Sequence, residues 1–146
     1  MADKNAIGSQ GTPFTMEIER GKVREFARAV LARHASYAED APTIPPTFLT
    51  TTFFWEEWTA GANPWHAVKM DQRRGMHAEQ EYIFHGPPPR ACTRLHCQSR
   101  IAEIYEKQGK RGGTLTFAVM VTEFRDDSGR LVAEARMTGV ETERAP

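Results

Sequence analysis

The sequence is short of several features that would declare a function. Its 19 Lys and Arg residues balance 19 Asp and Glu, leaving no net charge. A chain with no basic excess has nothing to draw in nucleic acid or an anionic membrane. No apolar run reaches membrane-spanning length, and the N-terminus shows no signal-peptide core, so the expected location is cytoplasmic. There are only two cysteines, Cys92 and Cys97. Their spacing fits neither a C-x-x-C motif nor a zinc pattern, so they read as free thiols on opposite faces of an extended segment. No phosphate-binding loop, dinucleotide glycine pattern or metal cluster is present, and the expectation is no cofactor and no metal. Internal repeats and low-complexity linkers are absent too. At 146 residues the chain reads as one domain with enough interior for a real core.

What is present is concentrated in Pro45-Pro46-Thr47-Phe48-Leu49-Thr50-Thr51-Thr52-Phe53-Phe54-Trp55-Glu56-Glu57-Trp58, the most apolar and aromatic stretch. Two prolines precede it, and Gly61 with Asn63-Pro64 follows it. Those flanks suit the two ends of a helix, and Thr47 suits its cap. Thr and Phe also favour strands. No two-residue alternation runs through the segment, however, so a helix over about 47–60 is expected. Its aromatics point almost all round, the pattern of a buried helix.

The remainder falls into clear periods. Residues 1–12 are small and polar, a flexible lead-in. Phe14, Met16 and Ile18 alternate as a short strand. From Gly21 the period changes: Val23, Phe26, Ala27, Val30 and Leu31 form one stripe of an amphipathic helix ending near Arg33-His34. A turn-rich connection, 34–46, carries Tyr37, Glu39 and Asp40. Residues 61–75 read as a surface excursion holding Trp65, His66, Arg73 and Arg74. Then come four strand patterns. In Met76–His85 the alternation puts His77 and Glu79 on one face. Thr93–Lys107 places Leu95, Cys97, Ile101 and Tyr105 on one side. Thr114–Phe124 places Leu115, Phe117, Val119 and Val121 together, and Leu131–Val140 closes the sheet. Gly86-Pro87-Pro88-Pro89 and Asp126-Asp127-Ser128-Gly129 are turn signals. Consecutive hairpin-linked strands after helices imply an α+β fold, an antiparallel sheet curled around the 47–60 helix. The expected division is a lead-in at 1–12, a domain at 13–142 and a tail at 143–146.

That order is the layout of the hot-dog fold, and particular residues carry a closer likeness. The segment Phe14 to Val30 resembles the opening of the MaoC-like dehydratases, and more narrowly their N-terminal, FAS1-like dehydratase branch. Ala41-Pro42 followed by Pro45-Pro46-Thr47-Phe48 is similar to that branch's approach to the central helix. Met76-His77-Ala78-Glu79-Gln80-Glu81-Tyr82 resembles its His-x-x-Gln-Glu strand. The resemblance spans roughly 7–142. It implies reversible addition of water across the double bond of an enoyl thioester, carried by CoA or an acyl-carrier protein. Such chemistry needs a base for water, an acid for the α-carbon and a donor at the thioester oxygen.

Catalytic members of the family use an Asp-x-Asn-Pro-x-His segment after the first helix. Here it falls on Ala32-Arg33-His34-Ala35-Ser36-Tyr37, placing Ala32 and Tyr37 at the two catalytic positions. Alanine has no proton to exchange, and a tyrosine hydroxyl is a poor base at neutral pH. The resemblance therefore implies a hydro-lyase subunit, a homodimer or a heterodimer with a catalytic MaoC-like chain that supplies the acid and base. His77, Glu79 and His34 are the candidates for catalysis by this chain itself. Tyr37, Phe48, Trp55, Trp65, Arg73 and Arg90 are the candidates for binding an acyl thioester, the aromatics as tunnel wall and the arginines for CoA phosphates. Each aromatic also fits an ordinary core. A third reading is an acyl-CoA-binding hot-dog protein or a thioesterase, with Glu56 or Glu57 as the carboxylate.

Overall fold

The computed structural model describes residues 2–56, 61–110 and 112–143. Five strands, β1 (Phe14–Glu17), β2 (Gly75–Phe84), β3 (Arg94–Gln108), β4 (Thr114–Arg125) and β5 (Leu131–Thr142), form one antiparallel sheet in the order β1-β3-β4-β5-β2. One α-helix, α1 (Arg20–Ala29), and short 3-10 helices complete the α+β layout. The concave face of the sheet carries two apolar clusters. One joins Met16, Leu95, Cys97 and Phe124 to Val23 of α1 and to Phe48 and Leu49. The other joins Ile101, Ile104, Ala118 and Met120 to Val68 and the N-terminal Ala2 and Ala6.

α1 buries Val23 and Ala27 and sets Phe26 edge-on to Phe48, ring centroids 5.4 Å apart. The expected stripe is cut short, because Val30 and Leu31 are exposed. Leu31 has φ 56°, and the Leu31 and Ala32 amides bond back to the Arg28 and Ala27 carbonyls. This is a left-handed helix stop of the kind glycine normally makes.

The aromatic segment departs further from expectation. It is a 3-10 helix, Phe48–Phe54, and not a long α-helix; the expected residues 57–60, with Glu57 and Trp58, lie outside those described. Thr47 makes no side-chain cap. The cause is the threonine run. β-branched side chains crowd an α-helix, and the Thr51 hydroxyl donates 2.9 Å back to the Phe48 carbonyl, holding a tighter turn. Only Phe48, Leu49 and Thr51 are buried in it, while Phe53 and Phe54 face outward, Phe54 beneath the Lys22 ammonium at 4.4 Å.

Two bulges reset the strand faces. Ile101 pairs with Met120 but Glu103 with Val119, so Tyr105 leaves the side of Leu95, Cys97 and Ile101 and stacks on Phe117 on the convex face. The core-facing side of β4 is therefore Ala118, Met120 and Phe124, opposite to Phe117, Val119 and Val121. In β2, His77 pairs with Gly139 and Glu79 with Thr138. One partner step for two residues puts His77 and Glu79 on opposite faces, because an extra residue at a bulge inverts the alternation beyond it.

Residues 2–12, expected to be a loose lead-in, are packed. Ala2 and Ala6 are buried, and Gly8, Ser9 and Gly11 exchange backbone hydrogen bonds of 2.9 Å with Ser99 and Ile101 of β3. The segment thus continues the β1 edge, so that side of β3 is covered. Among the described residues no strand pairs with the outer side of β2.

Both thiols are free. Burial pushes the Cys97 thiol up to about 12, while Cys92 lies exposed ahead of β3. A thiol-reactive disulfide reagent is expected to modify Cys92 in the native protein and Cys97 only after denaturation, read as thiol equivalents released with time. Leu31→Gly removes a strained left-handed leucine that is largely exposed, and relief of about 1–2 kcal/mol of strain, partly offset by the extra freedom of glycine in the unfolded chain, is expected to stabilise the fold by about 0.5–1 kcal/mol in urea unfolding.

Candidate functional site

A half-open cavity of about 790 Å³ lies on the concave face between β4, β5, the start of β2 and the loop following the aromatic segment. Its walls are mainly apolar: Phe53, Trp65 and four methionines, Met70, Met76, Met120 and Met137. Glu56, Asn63, His66 and His77 supply the polar points. Such a mix, apolar walls with a few convergent polar groups, is the usual make-up of a small-molecule site.

Trp65 is fixed from two directions. Asn63 caps the 3-10 helix Pro64–Val68 by accepting from the Trp65 amide at 2.9 Å, and its own amide donates 3.1 Å to a Glu56 carboxylate oxygen. The indole lies against the bare backbone of Gly139. A Cβ placed there would fall 2.6 Å from Cζ2 and 2.7 Å from Cη2 of Trp65. Glycine is required here for close approach, since real Cβ atoms do not come so near.

The wall carrying Met70 and Gln72 is held by one guanidinium. Arg74 donates through Nε to Asp71 at 3.0 Å, through Nη2 to Glu141 at 2.5 Å, and through Nη1 to the Thr142 and Glu143 carbonyls at 3.1 and 2.9 Å. The Arg73 amide and the Arg74 side chain together hold the Asp71 carboxyl below its usual range. Glu141 is fully buried. A planar guanidinium can satisfy several acceptors at once, which suits it to a cluster of this shape.

The cavity brings together two of the residues singled out in the sequence, Trp65 and His77, with Glu56. The others lie elsewhere. Phe48 is sealed in the core, and Trp55 packs against that core. Tyr37 and His34 sit on the short turn Ala35–Tyr37, where His34 Nδ1 is 2.8 Å from the Ser36 hydroxyl and the two rings meet at 6.0 Å. Ala32 follows directly on the helix stop. None of these five lines the cavity. Arg90 is held by Glu39 at 2.8 Å and the Ala41 carbonyl at 2.9 Å. Glu79 is turned to the other face of the sheet by the bulge. Arg73 is exposed beside the lining residue Gln72, its amide bonded to Asp71. Sequence reasoning missed the methionines, since they come from four separate segments. Asn63 was detectable: Asn-Pro before an aromatic is a capping signal.

Residues 5–135 match the model of the FAS1-like, dehydratase domain region. No curated protein sequence matches the chain. Among solved structures, a chain of the C-terminally truncated HadBC (3R-hydroxyacyl-ACP dehydratase) complex from Mycobacterium tuberculosis is 23% identical, with TM-score 0.64, covering 90% of this chain and 96% of its own. A MaoC-like dehydratase superposes with TM-score 0.75 at 21% identity, over 94% of this chain and 42% of its own length. A chain of the ChsH1–ChsH2 complex from Mycobacterium tuberculosis gives 0.71 at 14% identity, covering 97% and 92%. These likenesses establish the hot-dog fold for the curved five-stranded sheet.

Breaking the Arg74 cluster removes the guanidinium that donates to the buried Glu141 carboxylate. Arg74→Met is expected to cost about 3 kcal/mol or more in urea unfolding, and to shift Trp65 emission to the red as the Met70 wall loosens.

Proposed function

The chain belongs to the FAS1-like dehydratase domain family, and from that premise we propose that it is a subunit of an enoyl-thioester hydratase or 3-hydroxyacyl-thioester dehydratase. It holds the acyl part of a CoA or acyl-carrier-protein thioester, and a second hot-dog chain supplies the acid and base. The observation that carries this reading is a separation. The cavity is large and apolar, while the places where the family's Asp and His fall, Ala32 and Tyr37, lie off it and carry no such pair.

Addition of water needs a base at the water, an acid at the α-carbon and a donor for the charge that grows on the thioester oxygen. In this chain the cavity offers Glu56, already taken up on one oxygen by Asn63, and two histidines at its rim. His77 has no carboxylate on its face from Glu79, so the strand offers no ready-made His–Glu pair. What the walls do offer is apolar surface that removes the acyl chain from water and positions the thioester at the open side. The first residues of β2, Gly75, Met76 and His77, line the cavity, and among the described residues no strand pairs with the outer edge of β2. Such an edge is stable when another strand adds to it. The HadBC and ChsH1–ChsH2 structures are each of a complex, which supports a second chain along β2. Arg73, exposed beside the cavity, suits the CoA phosphates.

A second reading rests on Glu56, among the described residues the only carboxylate that lines the cavity: hydrolysis of the thioester, with Glu56 acting on water. The two separate by product. The purified chain alone is expected to leave the conjugated absorbance of an enoyl-CoA unchanged and to release no free thiol. Adding a hot-dog chain that retains the Asp-x-Asn-Pro-x-His segment is expected to bring turnover. Turnover by this chain alone would overturn the shared-site reading. Thiol release lost in Glu56→Gln would establish the hydrolytic one.

A further inference from the structure

Residues 2–12 do more than run along β3. They grip the turn that carries Trp65 at both of its ends. We propose that this N-terminal segment is a clamp on one wall of the cavity, with Gly11 and Asp3 as its positioning residues. The inference goes beyond the thioester reading, because the clamp sets the wall whatever ligand the cavity takes.

Three observations carry it. The first is the anchor. The Gly8 and Gly11 amides donate to the Ile101 and Ser99 carbonyls at 2.9 Å, and the Ile101 amide donates back to Ser9 at 2.9 Å. The middle of the segment is therefore fixed to the sheet. The second is the reach of its two ends. At one end the Thr12 amide donates 2.9 Å to the Ala62 carbonyl. Gly11 lies so close there that an added Cβ would stand 2.5 Å from the same oxygen and 2.8 Å from Pro64 Cδ. Only glycine permits that approach. At the other end the Asp3 amide donates 2.8 Å to the Val68 carbonyl. The Asp3 carboxylate accepts from the Lys69 ammonium at 3.1 Å and from the Asn5 amide at 3.0 Å. Lys69 closes the turn with φ 52°, a left-handed conformation that persists where the surroundings hold it. Between the two grips lie Asn63, Trp65 and His66, all of which line the cavity. The third is how little holds the segment itself. Its buried side chains are only Ala2 and Ala6, and Ile7 is half exposed. A segment with few buried apolar contacts opens at lower free energy than the sheet beneath it. The wall thus depends on a part of the chain that lets go before the fold does.

The test is amide hydrogen exchange, read by mass spectrometry on the full chain without ligand. Gly11→Ala is expected to speed exchange across residues 62–69 about tenfold, while β4 and β5 keep their native rates. Asp3→Ala frees the other grip at the surface and is expected to speed the same residues at least about threefold. Asp3→Asn keeps an acceptor for both donors and is expected to stay within about twofold of the native rate. A role confined to the N-terminal segment would leave 62–69 unmoved in all three. Native exchange at 62–69 in both Gly11→Ala and Asp3→Ala, or acceleration spread equally over β4 and β5, would overturn the inference. Binding is read separately: Gly11→Ala is expected to weaken dodecanoyl-CoA about tenfold by calorimetry. An unchanged affinity there would overturn the positioning role of Gly11. Failure of the native chain to bind that thioester would overturn the thioester reading alone, and the exchange comparison, which uses no ligand, would still decide the clamp.

Discussion

The Arg74 guanidinium fixes where the last strand, the first turn of β2 and one cavity wall meet. It reaches a carboxylate on its own loop, a buried carboxylate on β5 and two carbonyls just beyond it. The Thr142 amide returns the contact by donating to the Arg74 carbonyl at 3.0 Å. With that corner set, Gly75 begins β2 opposite Glu141, and the register that follows places His77 beside Gly139. Trp65 can then lie on Gly139. The cavity is thus a consequence of one charged corner and one missing side chain.

Much of this was legible from the residues, and the misses have physical causes. The order of strands and helices follows from the change of period at Gly21 and the turn signals after Phe84 and Arg125. The inner stripe of α1 was visible through Val23 and Ala27. Its end was not, because Leu31 adopts a conformation that sequence patterns reserve for glycine. The aromatic stretch reads as a helix by its flanks, yet three successive threonines tighten it into 3-10 turns, which leave Phe53 at the cavity wall and Phe54 exposed. The faces of β2 and β3 were inverted beyond single bulges that leave no mark in the composition. The packing of Ala2 and Ala6 was hidden for another reason. Small residues have no periodic signature, and only the tertiary partner shows what they cover.

The site was less legible than the fold. A cavity wall assembled from Trp65, Met70, Met120 and Met137 draws on three parts of the chain with no common motif, so only the register of β4 and β5 brings them together. The family likeness is informative in a different way. In the proposed reading Ala32 and Tyr37 stand where a familiar pair is missing, and neither lines the cavity. Binding and chemistry are divided in the proposed reading, which frees the cavity from the need to orient an acid and a base. Its walls can then be chosen for fit to the acyl group alone.

The N-terminal residues running along β3 carry a consequence for assembly. A sheet with two bare edges can be extended from either end, and copies added in that way build an open-ended stack. Here β1 and β2 are the two outer strands among the described residues, and β1 is only four residues long. The chain's own Gly8 to Gly11 continues that short margin along β3, lengthening it and not closing it. The same short polar segment that looks dispensable in the sequence therefore shields the middle of β3 from a second copy and leaves pairing to the outer strands.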